Sequence, residues 1–117
     1  MPKQVPGEAY IRISIDEAAA IQDDDDVTIV DVRRMDEYLE GHVKDALFIT
    51  VDDILARIDE LPEEGKLLFI CAAGVRSGLA CEMAAAMGLD SERLYNIEEG
   101  TGPWIEKGYP TSYGADA

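Results

Sequence analysis

The chain has 117 residues, of which 25 are acidic and 10 basic, for a formal net charge of −15. That length favours a single folded domain, with a core expected at about residues 9–110 between short flexible termini. The acidic balance disfavours nucleic acids and anionic membranes as partners, because both require basic surface. Solubility is the simplest reason for the acidity, and a halophilic source or a basic protein partner are the alternatives.

The composition, 47% hydrophobic and 30% charged, is typical of a folded globular protein. No segment approaches the ~20 apolar residues that a membrane span requires, and the opening segment MPKQVPGEAY lacks the apolar core of a signal peptide. The two cysteines, Cys71 and Cys81, are too few for a disulfide framework or a zinc site. We therefore expect a cytoplasmic protein with reduced cysteines and no metal.

The first half of the chain alternates between β-rich runs and helical patterns. Residues 10–13 predict a first strand, and Ser14 with Glu17 forms a capping box that predicts the start of a short helix. The continuous apolar run at 27–32 predicts a second strand in a sheet covered on both faces. The segment MDEYLEG predicts a short helix that ends at Gly41.

The middle of the chain continues the alternation. A third strand is predicted at 46–49. Thr50 followed by Asp53 predicts a cap for a helix that runs to Ile58. The most hydrophobic run of the chain predicts a fourth strand at 67–71.

A helical pattern follows from Arg76 to Met87, in which Leu79, Met83 and Met87 share one face and are expected to lie in the core. A fifth strand is predicted at 93–97, before a final short helix. Strands that alternate with helices indicate an α/β fold whose sheet is largely parallel and covered on both faces.

Ligands of such sheets bind beyond the carboxyl ends of the strands, where Cys71 is predicted to lie. The segment CAAGVRS connects the fourth strand to a helix. A tight loop entering a helix turns N–H groups inward, and together with the helix N-terminus it lowers the pKa of a thiol. Ala72 and Ala73 are expected to leave room above the sulfur, and Arg76 adds a positive charge nearby. These features favour Cys71 as a nucleophile over a buried structural thiol.

Three segments resemble those of the rhodaneses, the single-domain sulfurtransferases. The segment CAAGVRS resembles their active-site loop, residues 29–49 (IVDVRRMDEYLEGHVKDALFI) resemble their upstream signature, and residues 88–110 (GLDSERLYNIEEGTGPWIEKGYP) resemble their downstream one. Because the segments occur in the family's order and spacing, the chain is identified as a member. The resemblance implies a three-layer α/β/α fold with a mainly parallel, five-stranded sheet.

The resemblance also implies a reaction in which Cys71 takes a sulfane sulfur from thiosulfate or a persulfide donor. The resulting persulfide then passes its sulfur to a thiophilic acceptor such as cyanide, a thiol or a protein. No metal or organic cofactor is implied, and the partner is a small sulfur-containing anion or a persulfide-bearing protein. The substrate cradle is expected to comprise Ala72, Ala73, Gly74, Val75, Arg76 and Ser77.

The length and composition of the loop distinguish sulfur transfer from phosphatase activity and bear on the choice of sulfur donor. Four residues lie between Cys71 and Arg76, one fewer than in related phosphatases, so phosphatase activity is disfavoured. Positions 72 and 73 carry no lysine or arginine, so only weak attraction of dianionic thiosulfate is expected. On the acidic background of this chain, a persulfide delivered by a protein partner is the more natural donor.

Several other residues near these motifs invite a role. Asp31 is expected to order the loop by accepting hydrogen bonds, and His42 to pack and hydrogen-bond in its Gly-His turn. Arg33 is a candidate contact for the substrate anion, although an ion pair with Glu37 is the favoured interpretation. Cys81 is expected to pack in the core rather than to resolve a disulfide.

Asp45 and Glu99 stand where many rhodaneses have glycine, and Glu99 is expected to be strained if its position requires a positive φ. Two other functions stay open at this point. The first is a rhodanese-like module that docks a partner and has little turnover, against which the intact Cys71 argues. The second is a thiol-redox or arsenate-reducing enzyme, which would need Cys81 or another thiol to resolve its intermediate.

Overall fold

A six-stranded, mostly parallel sheet organises the computed structural model, which describes residues 2–117. The strands in chain order are β1 (Lys3–Gln4), β2 (Ile11–Ile13), β3 (Val27–Asp31), β4 (His42–Val43), β5 (Leu47–Phe48), β6 (Lys66–Ile70), β7 (Leu94–Ile97) and β8 (Thr111–Ser112). The sheet has the spatial order β1-β2-β7-β6-β3-β5, and β1 runs antiparallel to β2 whereas the other pairs are parallel. Strands β4 and β8 form a separate antiparallel pair.

The mainly parallel α/β sheet is confirmed, and all five predicted strands are present within a residue or two of their predicted bounds. The predicted number of five strands is corrected to six, because Lys3–Gln4 adds an edge strand to β2. The β4–β8 pair was also missed by the sequence analysis. The missed strands have two residues each and, unlike β5 in the apolar run at 46–49, they lie outside any apolar run that would indicate a strand.

Four α-helices accompany the sheet: α1 (Ile15–Ile21), α2 (Met35–Glu40), α3 (Val75–Ala86) and α4 (Thr101–Glu106). The capping box at the start of α1 is confirmed, since Ser14 Oγ accepts the Glu17 N–H at 3.1 Å and Glu17 Oε1 accepts the Ser14 N–H at 3.0 Å. Helix α2 ends at Gly41 as predicted. Within residues 2–117, no helix combines the length and apolar character needed to cross a membrane.

The helix predicted from Thr50 to Ile58 is wrong. The segment instead forms two 3₁₀ helices, Val51–Asp53 and Ile58–Glu60, joined by turns. The Thr50 hydroxyl donates to the Asp53 carboxylate at 3.1 Å and makes no capping bond to a backbone N–H. The expected cap is therefore absent, and a short helix has little intrinsic stability without one.

Two apolar clusters cover the faces of the sheet, as expected when alternate strand residues point to opposite sides. One cluster combines Phe69 with Cys81 of α3, and the other combines Leu68 with Trp104 of α4. Helices therefore cover both faces. The structure has the three-layer arrangement that the rhodanese resemblance implies.

The core-facing side of α3 consists of small residues rather than the predicted large ones. Leu79 and Met87 are 45% and 51% exposed, so their placement in the core is wrong, while Met83 packs at the edge of one cluster. The small side chains allow a close approach of helix and sheet, since a Cβ on Gly78 would lie 3.1 Å from the Tyr10 hydroxyl. The buried residues of α3 are Ser77, Gly78, Ala80, Cys81 and Ala84.

Backbone strain falls at Asp45 rather than at Glu99. Asp45 has a φ of 64° and is the one non-glycine residue with a positive φ among the described residues. Glu99 has no positive φ, and its carboxylate accepts the Ile15 N–H at 2.8 Å. The condition for strain at Glu99 is therefore not met, and Asp45 occupies the left-handed region that aspartate tolerates better than most residues.

Candidate active site

Cys71 lies between the end of β6 and the start of α3, at the carboxyl edge of the sheet. Its Sγ accepts the Gly74 N–H at 3.1 Å and lies 3.2 Å from the Ser77 hydroxyl oxygen. The predicted open space above the sulfur is not found. Ala72 and Ala73 are exposed, but Cys71 itself is only 1% exposed. A donor therefore has to enter the loop to reach the sulfur.

Opposing effects act on the pKa of the Cys71 thiol. Burial acts to raise it, because a thiolate loses solvation in the protein interior. Hydrogen bonds from the Ser77 hydroxyl and from the backbone N–H groups of Ser77, Ala73 and Gly74 act to lower it. The hydrogen bonds outweigh burial, and the pKa of Cys71 lies below the usual value for cysteine. The loop is thus suited to hold an anionic sulfur.

Two glycines allow the loop its shape. Gly74 has a φ of 89°, and a Cβ there would lie 2.7 Å from the Glu98 carbonyl oxygen. Gly100 has a φ of 87°, and a Cβ there would lie 2.0 Å from the Ala72 carbonyl oxygen. The neighbouring Thr101 donates to the Cys71 carbonyl through its N–H at 3.0 Å and its hydroxyl at 3.2 Å. The start of α4 therefore fixes the base of the Cys71 loop.

Asn96 of β7 is a site residue that the sequence analysis missed. Its side chain is 5% exposed, its Nδ2 donates to the Gly74 carbonyl at 3.0 Å, and its Oδ1 accepts the Ser77 hydroxyl at 2.5 Å. One amide thereby holds both groups that contact the sulfur. The signal in the sequence was a lone amide within the otherwise apolar strand segment LYNI.

Arg76 points toward α2 and forms an ion pair there. Its guanidinium donates two hydrogen bonds to the Glu37 carboxylate, at 2.6 and 2.9 Å. These hydrogen bonds are the main cause that lowers the pKa of Glu37 to about 2. The two side chains are 29% and 19% exposed, so the pair is largely shielded from solvent. Glu37 therefore neutralises the one cation within the predicted cradle.

Arg33 has a different partner from the predicted one. Its guanidinium donates to the Asp31 carboxylate, at 2.7 Å for the closest contact, and to the Gly41 carbonyl at 2.7 Å. The predicted Arg33–Glu37 ion pair is wrong. Arg33 points inward and pairs with the fully buried Asp31, and Glu37 pairs with Arg76 instead. With 6% of Arg33 exposed, we assign it a structural role rather than a contact with substrate. The side-chain hydrogen bonds described for Asp31 all come from Arg33, not from the Cys71 loop.

His42 is fully buried, and both of its ring nitrogens contact backbone carbonyl oxygens. Nδ1 lies 2.8 Å from the Tyr38 oxygen, and Nε2 lies 2.6 Å from the Asp116 oxygen. The ring also stacks on Tyr38 with a centroid separation of 3.7 Å. These contacts favour the predicted structural role for His42.

Cys81 packs in the core as predicted and is fully buried. Burial raises the pKa of its thiol well above the usual value. Both cysteines are free, so no disulfide joins them. No cluster of three or more metal-ligating side chains occurs in the part of the chain that the structure describes.

Comparison with known proteins gives a consistent result. The family model of the rhodanese-like domain matches residues 14–107. A sulfurtransferase from Allochromatium vinosum is 31% identical over 90 residues, which cover 77% of this chain and 82% of that protein. A thiosulfate sulfurtransferase from Actinobacillus pleuropneumoniae is 27% identical over 103 residues, which cover 88% of this chain and 94% of that protein.

A solved structure agrees with these relatives. The crystal structure of a rhodanese-like domain protein from Staphylococcus aureus superposes with a TM-score of 0.70 at 31% identity, covering 80% of this chain and 89% of that one. The parallel sheet, the cysteine at its carboxyl edge and the match over most of the sequence lead to one assignment. The chain belongs to the rhodanese-like domain family, and its relatives include named sulfurtransferases.

Proposed function

We propose that the protein transfers sulfane sulfur through a persulfide formed on Cys71. The observation that carries the proposal is the set of donors around this sulfur: the Gly74 N–H at 3.1 Å and the Ser77 hydroxyl oxygen at 3.2 Å. The Gly74 N–H is already in place, and the Ser77 hydroxyl lies close enough to turn toward the sulfur, so a developing negative charge is stabilised with little reorganisation. The proposal includes a cytoplasmic location, because free, reduced cysteines are typical of proteins in that compartment.

The first half-reaction loads the sulfur. The Cys71 thiolate attacks the outer sulfur of the donor, a new S–S bond forms at Cys71, and the donor's own sulfur bond breaks. The leaving group departs with the electron pair, as sulfite from thiosulfate or as a thiolate from a persulfide. The loop donors stabilise the Cys71 thiolate before the attack.

The second half-reaction transfers the sulfur from the Cys71 persulfide to an acceptor. A thiophilic acceptor, such as cyanide, a thiol or a protein, attacks the outer sulfur of the persulfide. The S–S bond breaks, and the electron pair returns to Cys71 as its thiolate. The same N–H and hydroxyl donors then stabilise the leaving thiolate, so one loop serves both steps.

Ser77 and Asn96 adapt the loop to the two states of Cys71. A hydroxyl carries one proton, so Ser77 donates either to the Asn96 amide oxygen or to the sulfur. With Cys71 as a thiol, the Ser77 hydroxyl donates a hydrogen bond to Asn96, and its oxygen accepts one from the Cys71 S–H. When Cys71 loses its proton, the Ser77 hydroxyl turns toward the sulfur. Asn96 is thus a positioning residue that supplies the alternative acceptor.

Steady-state kinetics test the proposal. With cyanide as acceptor and thiosulfate or glutathione persulfide as donor, we expect double-displacement kinetics, with parallel lines in double-reciprocal plots. Cys71→Ala should lose the transfer with both donors, whereas Cys81→Ser should retain it. Loss of transfer in Cys81→Ser would instead favour a thiol-redox cycle. No transfer by the folded wild type with either donor would leave a partner-docking module as the better explanation.

A further inference from the structure

The arginines around the Cys71 loop are all paired with carboxylates. Arg76 is paired with Glu37, and Arg33 with the buried Asp31. Arg12 borders a cavity of about 270 Å³ beside Ala73 and Gly74, and it is paired with Glu8 and Glu98. The loop therefore presents backbone N–H groups and a hydroxyl, but its neighbouring guanidinium groups are already neutralised.

Arg76 is the only cation in the segment from Cys71 to Ser77. It stands in the first turn of α3, five residues after Cys71. Hydrogen bonding to Glu37 raises the pKa of Arg76, so the guanidinium stays charged within the ion pair. Because Glu37 is ionised above a pKa of about 2, the guanidinium is neutralised at any physiological pH.

We propose that Glu37 is a specificity determinant, which by holding Arg76 disfavours sulfonate-bearing donors such as thiosulfate and favours persulfides. This inference rests on the proposed sulfur transfer at Cys71. Glu37 selects the donor because its ion pair with Arg76 removes the positive charge that would attract a dianion such as thiosulfate. In sequence, Glu37 and Arg76 are 39 residues apart, and the fold brings them together.

The two donor classes differ in the charge that must enter the loop. In thiosulfate the sulfonate is bonded directly to the sulfur under attack, so both negative charges approach the Cys71 thiolate together. In a persulfide R–S–SH the attacked sulfur carries a hydrogen, and the group R–S⁻ leaves with the electron pair while Cys71 becomes Cys–S–SH. A protonated persulfide thus brings no charge on the two reacting sulfurs, and its reaction does not require a free guanidinium beside them.

Glu37→Gln isolates this effect with little disturbance of the fold. Glu37 is also the N3 residue of α2, where its Oε1 accepts the Arg34 N–H at 3.2 Å. Glutamine suits the N3 position of a capping box as glutamate does, so the helix start is retained. The substitution removes the negative charge that neutralises Arg76, together with a weaker contact of 3.7 Å to the exposed Arg34 guanidinium.

The experiment compares kcat/KM for thiosulfate and for glutathione persulfide, with cyanide as acceptor. We expect Glu37→Gln to raise the thiosulfate-to-persulfide ratio about tenfold, which corresponds to one modest charge interaction at a partly shielded site. In Glu37→Gln/Arg76→Gln the ratio should fall back, because the gain depends on the freed guanidinium. Glu60→Gln is the matched control, since it breaks the Arg57–Glu60 pair and changes the net charge equally.

A second variant keeps the test decisive if Glu37→Gln fails to fold. Ala72→Lys places a free cation on the exposed side of the loop and leaves Glu37 intact, so it should also raise the ratio. An unchanged ratio in the folded Glu37→Gln protein, or a gain that survives in the double variant, would overturn the inference. So would an unchanged ratio in Ala72→Lys, should Glu37→Gln not fold. If neither donor gives turnover in the wild type, the proposed function itself fails, which is a distinguishable result.

Discussion

Cys71 precedes α3, Cys81 lies within this helix ten residues later, and both cysteines are buried. The pKa of Cys71 is nevertheless lowered and that of Cys81 is raised. The Cys71 sulfur accepts an N–H from Gly74 and lies beside the Ser77 hydroxyl. The Cys81 sulfur instead lies 3.5 Å from the Tyr95 carbonyl oxygen, to which only an S–H can donate. Donors favour a thiolate, and an acceptor favours a thiol.

The comparison shows that burial alone does not decide the reactivity of a cysteine. Burial acts to raise the pKa of both thiols, and only Cys71 has hydrogen bonds that outweigh it. These donors belong to a loop that the fold places at the end of a strand and the start of a helix. The position in the fold, rather than the depth of the residue, separates the two chemistries.

The largest expected effect is a difference in alkylation rate between the cysteines. With iodoacetamide at neutral pH, Cys71 should react about 100-fold faster than Cys81, because only thiolates are nucleophilic. Lowering the pH should reduce the Cys71 rate only when the pH falls through its lowered pKa. Peptide mapping after timed quenching measures both rates. Equal rates would show that the two environments do not differ as described.

Removing the hydroxyl beside the sulfur should reduce this difference. Ser77→Ala should slow alkylation of Cys71 about tenfold near neutral pH, since a hydrogen bond to a charged group contributes roughly 1.5–3 kcal/mol. Thr101→Val is the matched control, because it removes a buried hydroxyl that contacts the Cys71 carbonyl rather than its sulfur. Equal slowing in both variants would mean that loop stability, not the Ser77 contact, controls the thiol.

Substitution of the core cysteine should affect stability instead of reactivity. Cys81→Ser should lower the free energy of unfolding by about 1 kcal/mol, because a hydroxyl costs more than a thiol to bury. The alkylation rate of Cys71 should stay within about twofold of wild type. Urea denaturation and the same peptide mapping provide the two measurements. A large loss of Cys71 reactivity would indicate that the two cysteines are coupled.

The smallest effect is expected away from both cysteines. Asp45→Gly should raise the free energy of unfolding by about 0.5 kcal/mol, since glycine adopts the φ of 64° at this position without steric cost. The reactivity of Cys71 should not change, which would separate stability from the chemistry of the loop. Thermal denaturation gives the stability. A lower melting temperature would show that the Asp45 side chain contributes more than its backbone strain costs.

Much of the fold could be predicted from local patterns. The five predicted strands, the capping box of Ser14 and Glu17, and the stop of α2 at Gly41 all depend on residues near one another in sequence. The face of α3 that packs on the sheet was predicted wrongly, because the prediction relied on the helical periodicity of the large residues. In the structure, the small residues pack against the sheet and leave Leu79 exposed.

Less of the candidate site could be predicted, because its contacts join distant segments. The nucleophile and its loop are contiguous, so the sequence pointed to Cys71 directly. The partner of Arg76 lies on another helix, and Asn96 lies 19 residues beyond the hydroxyl that it contacts. Arg33 has three carboxylates within four residues, Asp31, Asp36 and Glu37, and sequence spacing offers no basis for choosing the buried Asp31.

The most direct test of the account is to detect the persulfide itself. The wild-type protein is incubated with glutathione persulfide, and separately with thiosulfate, and is then analysed by intact-mass and peptide mass spectrometry. We expect a gain of one sulfur atom on the peptide that carries Cys71, reversed by cyanide, absent in Cys71→Ala and retained in Cys81→Ser. No gain with either donor, or a sulfur carried on Cys81, would contradict the assignment of Cys71 as the sulfur carrier.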